Sequence, residues 1–301
     1  MDLELSADQV ALRDGIASLL AARIPMESVR AGFDRAMFDE LARGGVFTLR
    51  KDGFSWADCV VVLEQLGRCC IPGPIVASLL LGDGRIAGTA SNDPPRIWIE
   101  HLDVLDVLVV DDHPLRIADA KAVLAEPAPW PLDPLTPVSC AEVLPPLEPL
   151  DIDVGEWGLA GATLTAALQL GLADRLVEMA VAYANERVQF DRPIGSFQAV
   201  KHMCADMLTR TEVARAAVYA AGAKLDEGAD RPGFDRLVSG AKVVAGEAAI
   251  VNGKAATQVF GGMGFTWEVD VHLFLKRAWV LDTHFGSAER HAELLGAMVA
   301  S

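Results

Sequence analysis

The stretch ERVQFDRPIGSFQAVKHMCADM, from Glu186 to Met207, joins two helical patterns through a turn that no helix can cross. Pro193 lacks a backbone donor and biases Arg192 away from the α region, while Gly195 permits a left-handed bend. Ser196 is the expected N-cap of a helix beginning near Phe197. Beyond it Val200, Met203, Cys204, Met207 and Leu208 recur at helical spacing and make one apolar face. Arg187 and Gln198 therefore stand on either side of a rigid elbow. Such a pair suits a phosphate with a polar neighbour, because arginine presents a planar fork of donors.

The pattern on both sides of the elbow is helical. Helices are expected at 158–186, 197–227 and 234–256, with a last one from about Gly286. Alanine runs such as ARAAVYAAGAK favour helicity and close helix packing, and a four-helix up-down bundle over 156–301 is the simplest arrangement. GADRPG, from Gly228 to Gly233, reads as a loop within it. Residues 1–92 read as a further helical domain. Its first helix is capped by Ser6, the next runs near Met37–Arg43, a third covers Ser55–Leu66, and another follows the Pro-Gly-Pro break at 72–74. Between these domains, residues 93–155 combine the β-branched run RIWIEHLDVLDVLVVDD with a dense series of prolines, which predicts short strands and Pro-rich turns.

Composition removes several function classes. A formal net charge of −16 argues against nucleic acid, whose recognition needs a basic face. It leaves room for a phosphate-bearing cofactor, which needs only a few local cations. No apolar run reaches membrane-spanning length, and MDLELSADQV lacks the basic-then-apolar order of a signal peptide. The five cysteines show no CxxC and no even framework, so reduced thiols in a cytoplasmic protein are expected.

The elbow resembles the acyl-CoA dehydrogenase family, whose R-x-x-F-G-x-x-(I/L)-x-x-(F/L)-Q segment contacts FAD. A second segment, QVFGGMGF from Gln258, is similar to the family's Q-x-(F/L)-G-G-x-G-(F/Y), and lies 60 positions after Gln198 as in the family. The resemblance runs through roughly the last 140 residues and weakens towards the N-terminus. It implies a mainly α, acyl-CoA dehydrogenase-like fold and FAD contact by Arg187, Phe190, Gln198, Gln258, Gly261 and Gly262. Read from the residues alone, Arg187 could instead pair with Glu186 or Asp191, and Gly261-Gly262 could be only a helix stop. Asp191 stands where the family has glycine, which puts a carboxylate close to any bound pyrophosphate.

The resemblance also locates what is missing. The family's catalytic glutamate lies 27 positions after the glutamine of the second motif, which here is Phe285, or 26 before the elbow arginine, which here is Gly161. Of the nearby groups, His284 adjoins the first position but as a lone histidine reads first as packing. Asp282 reads as solvated, and Glu156 is more than a helical turn from the second position. The region 93–155 is also shorter than the family's β-domain and lacks its W-(I/V)-T-(N/S) flavin-ring segment. Retained contacts to a neighbour's FAD, with base and ring cradle lost, resemble the smaller subunit of the α2β2 heteromeric acyl-CoA dehydrogenases of actinobacterial steroid degradation. The partner implied is a longer homologue carrying the glutamate, and the substrate a bulky acyl-CoA. A homomeric dehydrogenase with an unusual base and a flavin-free structural homologue are the alternatives. In the subunit reading Phe285 is expected to fill the vacant base pocket.

Overall fold

The computed structural model describes residues 4–91, 96–228 and 231–300. Helices α1 (Ala7–Arg23), α2 (Met26–Ala31), α3 (Arg35–Arg43), α4 (Trp56–Arg68) and α5 (Ile75–Leu81) come first. The expected stops and starts are visible in detail. Ser6 caps α1 through a reciprocal capping box with Gln9, and Ser55 does the same for α4 with Asp58. Gly82 ends α5 in the left-handed conformation.

The strands begin earlier than the sequence pattern indicates, with β1 at Ala87–Ala90. It is followed by β2 (Ile97–Glu100), β3 (Val107–Val110), β4 (Arg116–Asp119), β5 (Ala125–Pro127), β6 (Val138–Ala141) and β7 (Glu148–Pro149). They form two small sheets, ordered β1-β3-β4-β7 and β2-β6-β5. β1 and β3 pair in parallel, and the remaining pairs are antiparallel. Most of the prolines expected in the turns fall between these strands, so few ladder donors are lost.

Three long helices carry the C-terminal half: α6 (Val154–Glu186), α7 (Gln198–Glu227) and α8 (Arg231–Phe260). Because α8 already starts at Arg231, the last part of the expected GADRPG loop is helical; residues 229 and 230 lie outside the described residues. Two shorter helices, α9 (Val271–Thr283) and α10 (Ala288–Ala300), pack on α8. The sequence reading placed no helix over α9. In VHLFLKRAWVLDT the apolar residues fall in two short runs, LFL and AWVL, and runs of that length do not distinguish a buried helix from a strand. Its Val271, Leu273, Phe274, Ala278 and Leu281 are all buried.

One crossing ties the two helical groups together. A Cβ built on Gly171 of α6 would lie 2.0 Å from the Glu64 carbonyl oxygen, and one on Gly67 of α4 would lie 2.1 Å from the Leu168 carbonyl oxygen. Backbones so close leave room only for hydrogen, and both glycines are required for that reason. Beside the crossing, Glu64 is buried and receives Arg215 and the Tyr219 hydroxyl, while Asp174 receives Arg68 and Arg215. The charges taken out of water at this interface are therefore paired.

Candidate functional site

The elbow is a hairpin. Arg187 is the C-cap of α6, and the two-residue strands β8 (Val188–Gln189) and β9 (Arg192–Pro193) pair with Gln189 opposite Arg192. The two residues between them, Phe190 and Asp191, both have positive φ, at 53° and 63°. This differs from the expectation that Gly195 makes the left-handed bend. Gly195 is needed instead for close approach, since a Cβ there would lie 2.9 Å from the Ala184 carbonyl oxygen. Asp191 suits its position because aspartate tolerates the left-handed region in which the family has glycine. Phe190 does not, and its side chain is 86% exposed.

Ser196 is not the N-cap of α7. It lies in a 3₁₀ turn, Ile194–Ser196, closed by the Phe197 amide donating to the Ile194 carbonyl at 3.1 Å. That turn delays the helix to Gln198 and puts Phe197 at the cap, with no side-chain cap. The first-turn amides of this 30-residue helix have no side-chain cap, and of them the Val200 amide donates back to the Phe197 carbonyl at 3.1 Å. The Ile194 amide donates to the Arg187 carbonyl at 2.8 Å and holds the two ends of the elbow together. Uncapped amides and the helix dipole favour an anion here.

The second motif lies against the first. Tyr183, one turn before Arg187, stacks on Phe260 with centroids 4.1 Å apart and planes 14° from parallel. This contact brings Gln258, Gly261 and Gly262 to the elbow's end of the bundle. All three are exposed, Gly261 has φ +60°, and nothing lies within 4 Å of a Cβ built on either glycine. Arg187 makes no ion pair among the described residues, and Arg192 lies over the Phe197 ring, 4.1 Å from its centroid. A free guanidinium, uncapped amides, two exposed amide side chains and an open glycine pair fit the pyrophosphate side of a dinucleotide such as FAD.

The two positions at which the resemblance places the base, Gly161 and Phe285, meet at the other end of α6. A Cβ on Gly161 would lie 2.1 Å from two carbons of the Phe285 ring, so the phenyl group rests directly on the Gly161 backbone. Trp157 is beside it, with centroids 6.1 Å apart. Phe285 has φ +52°, and buried groups hold it. His291 bonds the Phe285 carbonyl at 2.9 Å through Nε2 and Ser239 at 3.0 Å through Nδ1. Lys242, whose pKa burial lowers to about 8 against the opposing charge of Asp282, donates to the Leu281 and Asp282 carbonyls at 3.1 Å each. Asp282 is therefore part of this corner, its Oδ1 accepting from the Ala288 amide at 3.2 Å, and is not merely solvated.

Phe285 occupies the base position but leaves a cleft of about 510 Å³ beside it, bounded by β1, β2, α5, α6 and the turn after α9. The Phe285 ring covers Gly161, and the cleft lies beside it. The cleft holds a group the sequence reading missed. Glu100 of β2 accepts from His284 Nε2 at 2.9 and 3.1 Å, so the imidazole adjoining Phe285 is already engaged. Burial alone would raise the Glu100 carboxyl. The charge and hydrogen bonds of His284, with His101 and Arg277 nearby, outweigh that and hold it below its ordinary value. A depressed carboxyl contributes stability above its unfolded pKa and loses it as pH falls through the folded one. Glu100→Gln is thus expected to cost about 0.5–1 kcal/mol at pH 7 for this partly exposed pair. The melting-temperature gap to the wild type should be full at pH 7 and should close in acid, as pH falls through the depressed folded-state pKa. An equal gap at pH 7 and in acid would show that the charge contributes nothing.

The sequence and the fold have counterparts among known proteins. Residues 159–300 match the family described as acyl-CoA dehydrogenase, C-terminal domain. Acyl-CoA dehydrogenase IpdE2 of Mycolicibacterium smegmatis is 30% identical over 305 residues, covering 91% of this chain and 93% of that protein. The chain belongs to the acyl-CoA dehydrogenase family, whose members are flavoprotein oxidoreductases that generally use FAD. Among solved structures, the ChsE4–ChsE5 complex of Mycobacterium tuberculosis superposes with a TM-score of 0.83 at 22% identity, over 100% of this chain and 99% of that one. The Tcur3481–Tcur3483 steroid ACAD gives 0.81 at 21% identity, over 97% and 98%. At those identities the likeness is one of fold. None of the helices described is long and apolar enough to cross a membrane.

Proposed function

We propose that this chain is the reduced subunit of a heteromeric FAD-dependent acyl-CoA dehydrogenase. In this reading it acts in an α2β2 assembly with a longer homologue that carries the catalytic glutamate and the flavin-ring contacts. The observation that carries the reading is a separation. Arg187 and Gly161 lie 26 residues apart on one helix, roughly 39 Å along its axis at 1.5 Å per residue. One dinucleotide cannot reach both ends. The grip at Arg187 therefore serves a cofactor whose reacting ring lies in another chain, and Phe285 stands over Gly161 where this chain's own base would be.

When bound, FAD supplies the hydride acceptor for α,β-desaturation of an acyl-CoA. This chain's part is binding and orientation. Arg187 and the first-turn amides of α7 hold pyrophosphate charge, Gln198 and Gln258 bond the polar groups beside it, and Gly261 and Gly262 let the cofactor approach the backbone. Phe190 offers an exposed apolar face next to these groups. The small β region leaves space for a bulky acyl group. A steroid-derived thioester is the class proposed, in keeping with the steroid ACAD among the structural neighbours.

Co-expression with a longer homologue, followed by size exclusion and flavin absorbance, tests the proposal. Expected is a colourless, inactive product from this chain alone, and a yellow, active hetero-oligomer with half as many flavins as chains. A yellow, active homo-oligomer of this chain would overturn it.

A further inference from the structure

The cleft beside Phe285 is unused by the function just proposed, yet it has the size and lining of a ligand site. Its volume of about 510 Å³ falls within the roughly 300–1,000 Å³ typical of small-molecule pockets. Three aromatic rings contribute to its walls: Trp157 and Phe285 from the bundle side and Trp98 from the sheet. Trp98 is 52% exposed and lines the cleft mouth from the sheet.

The charges of the cleft limit what can enter. No lysine or arginine is among the described residues lining it, and its one imidazole, His284, is committed to Glu100. Against this stand two carboxylates, Glu100 and Asp111, and the Asp111 side chain has no partner among the described residues. An anionic ligand would find no free cation in the lining and would face the Asp111 carboxylate, which disfavours phosphates, carboxylates and the phosphate-bearing part of a CoA thioester. Flat apolar faces are what aromatic walls accept. We infer that this cleft binds an uncharged, flat, ring-containing apolar molecule, and that Glu100 and Asp111 exclude anions from it. The inference rests on the reading that no flavin ring is held here, and it gives the base-less end of the chain a binding role of its own.

Titration of the purified full chain with Nile red, an uncharged flat dye, tests this, with anilinonaphthalene sulfonate as the anionic counterpart. One saturable Nile red site per chain is expected, with quenching of tryptophan fluorescence. Thr89 lines the cleft from the exposed face of β1, so Thr89→Trp fills it with a β-compatible side chain. That variant should bind Nile red at least about tenfold more weakly, as expected when a ligand-sized side chain takes the space. Glu100→Gln combined with Asp111→Asn should leave Nile red binding intact and strengthen binding of the sulfonate by about fivefold to tenfold. Absence of saturable Nile red binding, or equal binding by Thr89→Trp, would overturn the site. Unchanged sulfonate binding in the double variant would overturn the charge rule. Flavin content separates the two proposals. A chain that carries flavin by itself, displaced by Nile red, refutes the subunit reading. A colourless chain that ignores Nile red refutes only the inference made here.

Discussion

Arg187→Ala, introduced into the assembled complex, is expected to weaken flavin retention tenfold to a hundredfold. A hydrogen bond to a charged group contributes about 1.5–3 kcal/mol, which converts to roughly that factor in a dissociation constant. The variant should fold normally, because Arg187 is exposed, makes no ion pair among the described residues, and uses its backbone to cap α6 and close the elbow. Those backbone bonds, from the Arg187 amide to Tyr183 and from the Ile194 amide to Arg187, survive the substitution. Flavin released on serial dilution, with the oligomer monitored by size exclusion, measures the effect. Unchanged retention in an intact assembly would reduce Arg187 to a structural residue.

Phe285→Glu is expected to restore the family's carboxylate at its usual position without creating an active site. A base accelerates proton removal only when the substrate carbon and the hydride acceptor are already positioned beside it. In the proposed assembly the acceptor lies in the partner chain. The substitution also removes a ring that rests on Gly161 and packs beside Trp157, and places a carboxylate in that space. No lysine or arginine among the described residues lines the cleft to pair with it, and Glu100 is close enough to share the same partner, His284. For a half-buried phenyl the expected cost is about 2–3 kcal/mol. In a chain of this size that corresponds to a melting temperature lower by roughly 4–6 °C. Flavin stoichiometry should be unchanged and turnover unchanged or lower. Turnover recovered in a complex whose partner lacks its own glutamate would show a latent site in this chain, and the subunit assignment would fail.

Much of the architecture was legible before any coordinate. Helical periodicity is local, so α1, α3, α4, α6 and α7 could be read from residues three and four apart, and Ser6 and Gly44 mark the start of α1 and the end of α3 through bonds made within a few residues. The two motifs and the loss of both glutamates are matters of spacing, which a chain displays without folding. What lay beyond reach came in two kinds. Helix α9 was missed because burial on most of its faces removes the polar stripe that reveals period. The elbow's bend was assigned to Gly195, because glycine is the usual occupant of positive φ. The two-residue hairpin imposes that conformation on Phe190 and Asp191 instead, and Gly195 answers to the nearby Ala184 carbonyl.

The amino-acid sequence by itself determined that this chain is a mainly helical member of the acyl-CoA dehydrogenase family, with Phe285 and Gly161 at the spacings where the resemblance places the glutamate. Local hydrogen bonding and side-chain period carry that information. Only the tertiary structure decided that the two vacant base positions are one place, since Gly161 and Phe285 lie 124 positions apart and meet through the packing of α6 against the turn after α9. It alone joined the elbow to the second motif, through the stacking of Tyr183 on Phe260. It alone paired Glu100 with His284, 184 positions away, across a cleft that no pattern announces. Contacts of this kind depend on how whole elements pack, and the residues that make them carry no periodic signature of their partners.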